Sequence, residues 1–185
     1  MKTIIGYGAA VWGVMGAVCL LTYAVVGLMP LVINAFRYPW QWYHWVVLAG
    51  HLGFMAYAEG YRGFQKSFSP RVAARARYLA QHPRLQHVLL APLFCMGYVY
   101  ATWRLRLRIL ILTTFIVLLV MLVSRLNQPW RGIIDAGVVI GLLWGVVSLC
   151  ALSIQALTTE HFNYDAELPE TVSQHTTSVA PDEDR

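Results

Sequence analysis

Hydrophobic positions along the chain fall into long blocks, not into the alternation of strands or the narrow stripe of a soluble helix. A membrane-spanning helix needs about 20 apolar residues. The first block, about 5–31, carries no charge, and Pro30 stands near its end. The second, about 42–61, is entered through the aromatic turn Arg37, Tyr38, Pro39, Trp40, Trp42, Tyr43 and Trp45. Such a cluster suits the headgroup layer. The third block, 109–123, is short, with 15 uncharged residues. Arg108 and Arg125 flank it and can extend it by snorkelling. The fourth, about 133–157, follows the turn Asn127-Gln128-Pro129-Trp130. The pattern predicts an all-α integral membrane protein, a four-helix transmembrane bundle over residues 1–158.

Between the second and third blocks the pattern changes. Ser69-Pro70 reads as a helix start, with serine as N-cap and proline at the first helical position. Residues 71–82 then form an expected short helix. Arg71, Arg75, Tyr78 and His82 share one face and Val72, Ala76 and Leu79 another, a weak signal for a helix lying on the membrane. The stretch 88–103 has 16 uncharged residues, is broken by Pro92, and ends on Arg104, Arg106 and Arg108. The preferred reading is an interfacial helix that continues into the third span; a reentrant segment or a fifth span stays open.

Composition agrees with lipid as the solvent. Hydrophobic residues make up 58% of the chain and charged residues 12%, about half the charged share of a soluble domain. The initial apolar run is far longer than the 7–15 residues of a signal core, so it reads as a retained anchor. Charge is segregated. Up to Thr158 there are 13 Lys and Arg against two acids, Glu59 and Asp135; residues 159–185 hold seven acids and one base. That acidic stretch, with two prolines, reads as a disordered tail. Nine of the 14 basic residues lie between the second and third spans. The positive-inside rule then places this region, and with it both termini, on the cytoplasmic side of an inner membrane. The expected partners are the bilayer and anionic lipid at the basic region, not nucleic acid.

Gly137, Gly141, Gly145 and Ser148 line one face of the fourth span, and such a stripe lets another backbone approach closely. Ala9, Gly13 and Ala17 repeat the pattern on the first span, and Ala49, Gly53, Ala56 and Gly60 on the second. The sequence does not say whether the matching face lies in the same chain, in a homo-oligomer or in a larger membrane complex.

Candidate chemistry is sparse. Glu59 sits at the cytoplasmic end of the second span, with Arg62 and Lys66 beyond it as expected ion-pair partners. Asp135 falls in the expected first turn of the fourth span, four residues after Arg131, where a negative charge suits the helix dipole. His44 and His51 lie about 20° apart around an α-helix and about 10 Å apart along it, with Glu59 a further 80° or so away. His82 and His87 flank Pro83, and Cys19, Cys95 and Cys150 each lie in apolar stretches without metal-ligand spacing. No phosphate loop, zinc-protease motif, nucleophile elbow or histidine box is present. The leading expectation is a non-enzymatic assembly or accessory component without a cofactor. Two alternatives remain: a transporter or channel component that handles protons or cations through Glu59 and His51, and a haem- or metal-binding redox protein using His44 or His51.

Overall fold

The computed structural model describes residues 2–81, 89–99, 103–159, 162 and 164. Among these the chain is helical without strands. The elements are α1 (Lys2–Ala35), α2 (Trp42–Met55), a π-helical segment π1 (Ala56–Phe68), α3 (Ser69–Gln81), α4 (Ala91–Met96), α5 (Trp103–Val123) and α6 (Trp130–Thr158). Three helices are long and apolar enough to cross a membrane: α1 over Ile5–Ala35, α5 over Leu105–Val123 and α6 over Trp130–Thr158.

α1 continues beyond the expected end at 31 and runs through Pro30. Proline removes one ladder hydrogen bond, but packing and caps hold the last turn. Ala35 sits against Gly132 of α6. Trp40 Nε1 donates to the Ala35 carbonyl at 2.9 Å, and Gln128 Nε2 donates to that of Leu31 at 3.2 Å. Gln128 Oε1 also accepts the Gly132 N–H at 3.1 Å. One side chain thus ties the last turns of α1 to an orphan N–H in the first turn of α6.

The expected second span is helical but changes its winding within its length. After the 14 residues of α2, the chain passes into 13 residues of π-helix and then directly into α3. Ser69 is consequently no N-cap. Its backbone is helical (φ −61°, ψ −41°), so helix precedes it as well as follows it.

Most of the stretch expected to form a helix lying on the membrane is helical, as α3. α3 is largely buried, packing on α1 and α6, with α4 alongside. Val72, Ala76, Leu79 and Ala80 join Ala9, Ala10, Ala17 and Leu21 of α1, Phe94 and Cys95 of α4, and Leu149 of α6 in one core. Small residues on facing helices permit this. A β-carbon on Gly6 would strike the Ala80 carbonyl, and one on Gly16 would stand 2.6 Å from Pro92 Cβ.

The 88–103 stretch does not run on into the third span. α4 ends at Gly97, whose positive φ of 87° suits a residue without a β-carbon. A separate helix starts at Trp103, so Arg106 and Arg108 lie within α5, not before it. α5 stands apart from the rest. Its apolar window is 6% buried, against 39% for that of α6. The packed core is therefore built from α1, the continuous α2–π1–α3 helix, α4 and α6. His82, His87 and nearly all of the acidic tail lie outside the described residues.

Candidate functional site

The glycine stripe of α6 is filled by the same chain. A β-carbon on Gly137 would meet the imidazole of His51 and would stand 2.8 Å from Met55 Cγ. One on Gly141 would stand 3.0 Å from Glu59 Oε2, and one on Gly145 2.7 Å from the Phe64 ring. Beyond the glycines, Ser69 and Ser148 place their hydroxyl oxygens 2.9 Å apart. Ser148 Oγ also donates to the Gly145 carbonyl at 3.1 Å, which commits its one proton and makes Ser69 the donor between them. His51 and Met55 thus share the Gly137 notch, and Glu59, Phe64 and Ser69 take the next three positions along α6.

This seam brings His51 and Glu59 to one face, about one helical turn of α6 apart. The α-helical projection put them farther apart around the axis. The difference comes from π1, whose i→i+5 hydrogen bonding aligns residues five apart: Glu59, Phe64 and Ser69. The same winding overturns the expected Glu59 ion pair. Among the described residues Glu59 bonds neither Arg62 nor Lys66; Arg62 is exposed, and Lys66 Nζ lies 4.8 Å from the Tyr61 ring centroid. An i,i+3 or i,i+4 pairing needs α geometry.

His44 has a structural position. It is 5% exposed, and its Nδ1 accepts the Gln41 backbone N–H at 3.0 Å. Its ring packs against Trp40, Tyr43 and Trp130, with centroids 5.8, 4.3 and 5.1 Å away. His51 Nε2 lies 3.4 Å from the Ile134 carbonyl. A haem on that nitrogen would have to displace α6, since the imidazole already occupies the Gly137 notch. Among the described residues no three His, Cys, Asp or Glu side chains gather closely enough to hold a metal ion.

Asp135 lies in the second turn of α6, because the helix starts at Trp130 and not near 133. Its Oδ2 is 3.6 Å from Arg131 Nε, as the i,i+4 spacing implies, and the residue is buried. The small-residue face expected on α2 is only partly used. Gly60 packs on Trp144, whereas Gly53 faces open space.

Two arginines of the basic region cap helices, a role their sequence positions did not signal. Arg75, 1% exposed, donates from Nη1 to the Phe94 carbonyl at 2.9 Å and the Val99 carbonyl at 3.3 Å. Its guanidinium carbon lies 5.4 Å from the Phe94 ring centroid. Arg77 Nη1 donates to the carbonyls of Ala156 (3.3 Å) and Thr159 (2.6 Å) at the end of α6. Cations there satisfy orphan carbonyls and oppose the negative end of the dipole.

No protein-family model matches the chain, and no similar curated protein or solved structure was found.

Proposed function

We propose that this protein is a four-span, multi-pass inner-membrane component that works by helix packing, as an assembly or accessory subunit, and not by catalysis. The observation that carries the reading is the standing-off of α5. Its apolar window is 6% buried, against 17% for that of α1 and 39% for that of α6. Tails of lipid and apolar side chains are alike as solvents, so helices in a bilayer associate through close contact and hydrogen bonds. A span that makes little contact within its own chain has its surface free for a second copy or another subunit. The core that carries it has its glycine notches already filled.

In this reading α2 and π1 together form the second span, 27 residues from Trp42 to Phe68. The aromatic cluster of Phe36, Trp40, Trp45 and Trp130 marks the outer interface. The termini, the acidic tail and the basic region between the second and third spans face the cytoplasm. Exposed Arg62, six residues inside the cytoplasmic end of this span, snorkels toward anionic headgroups.

The test places a photoreactive amino acid in turn at Leu112, Phe115, Ile116 and Met121 of α5, in native membranes. Protein adducts recurring with helical periodicity support assembly. Lipid adducts alone at all four positions would end the proposal.

A second reading follows from the seam: His51 and Glu59 handle protons or cations at adjoining notches of α6. Proton or cation flux in proteoliposomes tests it. Equal flux in the parent and Glu59→Gln removes Glu59 from any such path.

A further inference from the structure

The helix from Trp42 to Gln81 runs parallel to α6, and its register can be read from side-chain contacts. Met55 meets Gly137 and Glu59 meets Gly141, an advance of four residues on each helix. Ser69 meets Ser148 and Arg77 meets Ala156, an advance of eight on each. Between these stretches the advance is unequal. Glu59 to Ser69 is ten residues, whereas Gly141 to Ser148 is seven. Seven residues of α-helix rise about 10 Å, so the ten opposite them rise only about 1 Å each. Three surplus residues are therefore taken up by the wide winding of π1.

Close packing on α6 holds this surplus in place. Trp144 Nε1 donates to Gln65 Oε1 at 2.8 Å, Gly60 lies under the Trp144 indole, Phe64 fills the Gly145 notch, and Ser69 bonds Ser148. Gly63 adds local freedom: a β-carbon there would have only the Ala58 carbonyl nearby, at 3.5 Å. Long π-helices are rare, and α winding is the ordinary alternative for the same residues.

We infer that π1 is a two-state coupling element, whose rewinding into α-helix slides α3 along α6 by about three residues and turns Ser69 by about 80° from the face of Glu59. With Glu59 held at Gly141, rewinding advances Ser69 by about 4.5 Å. That movement breaks the Ser69–Ser148 bond. It also carries Arg77 off the α6 carbonyls and Arg75 off the end of α4. The seam containing His51 and Glu59 is thereby coupled to the packing of α3 and α4. Displacement of one packed element past another by about a turn is an established form of switching. The inference does not depend on α5 or on assembly.

Disulfide trapping tests it in membranes, using the full chain with Cys19, Cys95 and Cys150 replaced by alanine. Ser69→Cys with Ser148→Cys reports the π register. Lys66→Cys with Ser148→Cys, each seven residues beyond the Glu59–Gly141 contact, reports the rewound register. The expected result is a dominant 69/148 adduct with a minor 66/148 adduct. Gln65→Leu, which removes one anchor outside the core, should raise the 66/148 to 69/148 ratio by roughly two- to tenfold, the range for one net hydrogen bond. Failure of either adduct to form overturns the inference, as does a ratio unmoved by Gln65→Leu.

Discussion

The carboxylate of Glu59 lies directly over Gly141: a β-carbon built there would stand 3.0 Å from Glu59 Oε2 and 3.1 Å from Glu59 Cβ. This contact shows what the α6 stripe does within the chain. It admits the side chains of the α2–π1 helix, so the stripe is occupied before any second copy arrives.

Gly141→Leu should accordingly weaken folding and leave oligomer size unchanged. Extra methylenes in a packed site cost about 1–3 kcal/mol. Unfolding in mixed micelles gives the stability change and native mass spectrometry the assembly state. Reduced assembly with unaltered stability would return the stripe to an intermolecular role.

Alanine at the other glycines should sort by what each β-carbon meets. Gly6→Ala and Gly132→Ala should be the most damaging, since the obstacles are the Ala80 carbonyl and the Ala35 β-carbon, which cannot rotate away. Gly27→Ala meets open space. It should be neutral or gain up to about 1 kcal/mol from helix propensity. Thermal unfolding of the three variants under one detergent condition checks the order.

Removal of the two serines should be asymmetric. In Ser69→Ala, Ser148 keeps its bond to Gly145, and the loss should be about 0.5–1.5 kcal/mol. In Ser148→Ala, the buried Ser69 hydroxyl loses its acceptor, and the loss should be about 1–3 kcal/mol. The double alanine variant should recover part of the second loss. Equal effects in a double-mutant cycle would contradict the donor assignment.

Arg75→Lys should loosen α4 although charge is kept. A lysine has a shorter reach and no planar guanidinium, so it places its donors and its charge differently over Phe94. Hydrogen exchange over Leu93–Val99 should quicken, by an amount matching about 1.5–3 kcal/mol for each charged hydrogen bond lost. Unchanged exchange there would show that Arg75 does not hold the α4 end.

Burial pushes the Cys95 thiol up to about 12, and nearby Arg75 only partly offsets this. The fold favours the neutral thiol. Its contribution is fully present below the ordinary value of 9.0 and is lost as pH rises from there through about 12. At pH 8, maleimide should leave Cys95 unmodified until the chain is unfolded. Rapid native labelling of Cys95 would mean that α4 opens.

Much of the fold was legible because the signals are local. The apolar runs of α1 and α6 need no partner to be recognised, and Arg131 and Asp135 meet because they are four residues apart on one α-helix. The candidate site was only half legible. His51 and Glu59 stood out as polar groups in an apolar segment, but their angular relation was computed for an α-helix. Ser69-Pro70 imitated a helix start because Pro70 lacks an N–H wherever it stands. Arg75 and Arg77 read as charges of a helix lying on the membrane, since the carbonyls they cap lie 19 and 79 residues away in sequence.

Composition and hydrophobic period were enough for an all-helical chain with membrane-crossing helices, because a residue's preference for lipid travels with the residue. The partner of the glycine stripe, the winding of π1 and the separation of α5 from the core were decided by the tertiary structure. Backbone hydrogen bonds can close at i→i+4 or i→i+5 with similar local composition, and the choice between them rests on register with the neighbouring helix. Here that register is set where Glu59 meets Gly141 and Ser69 meets Ser148.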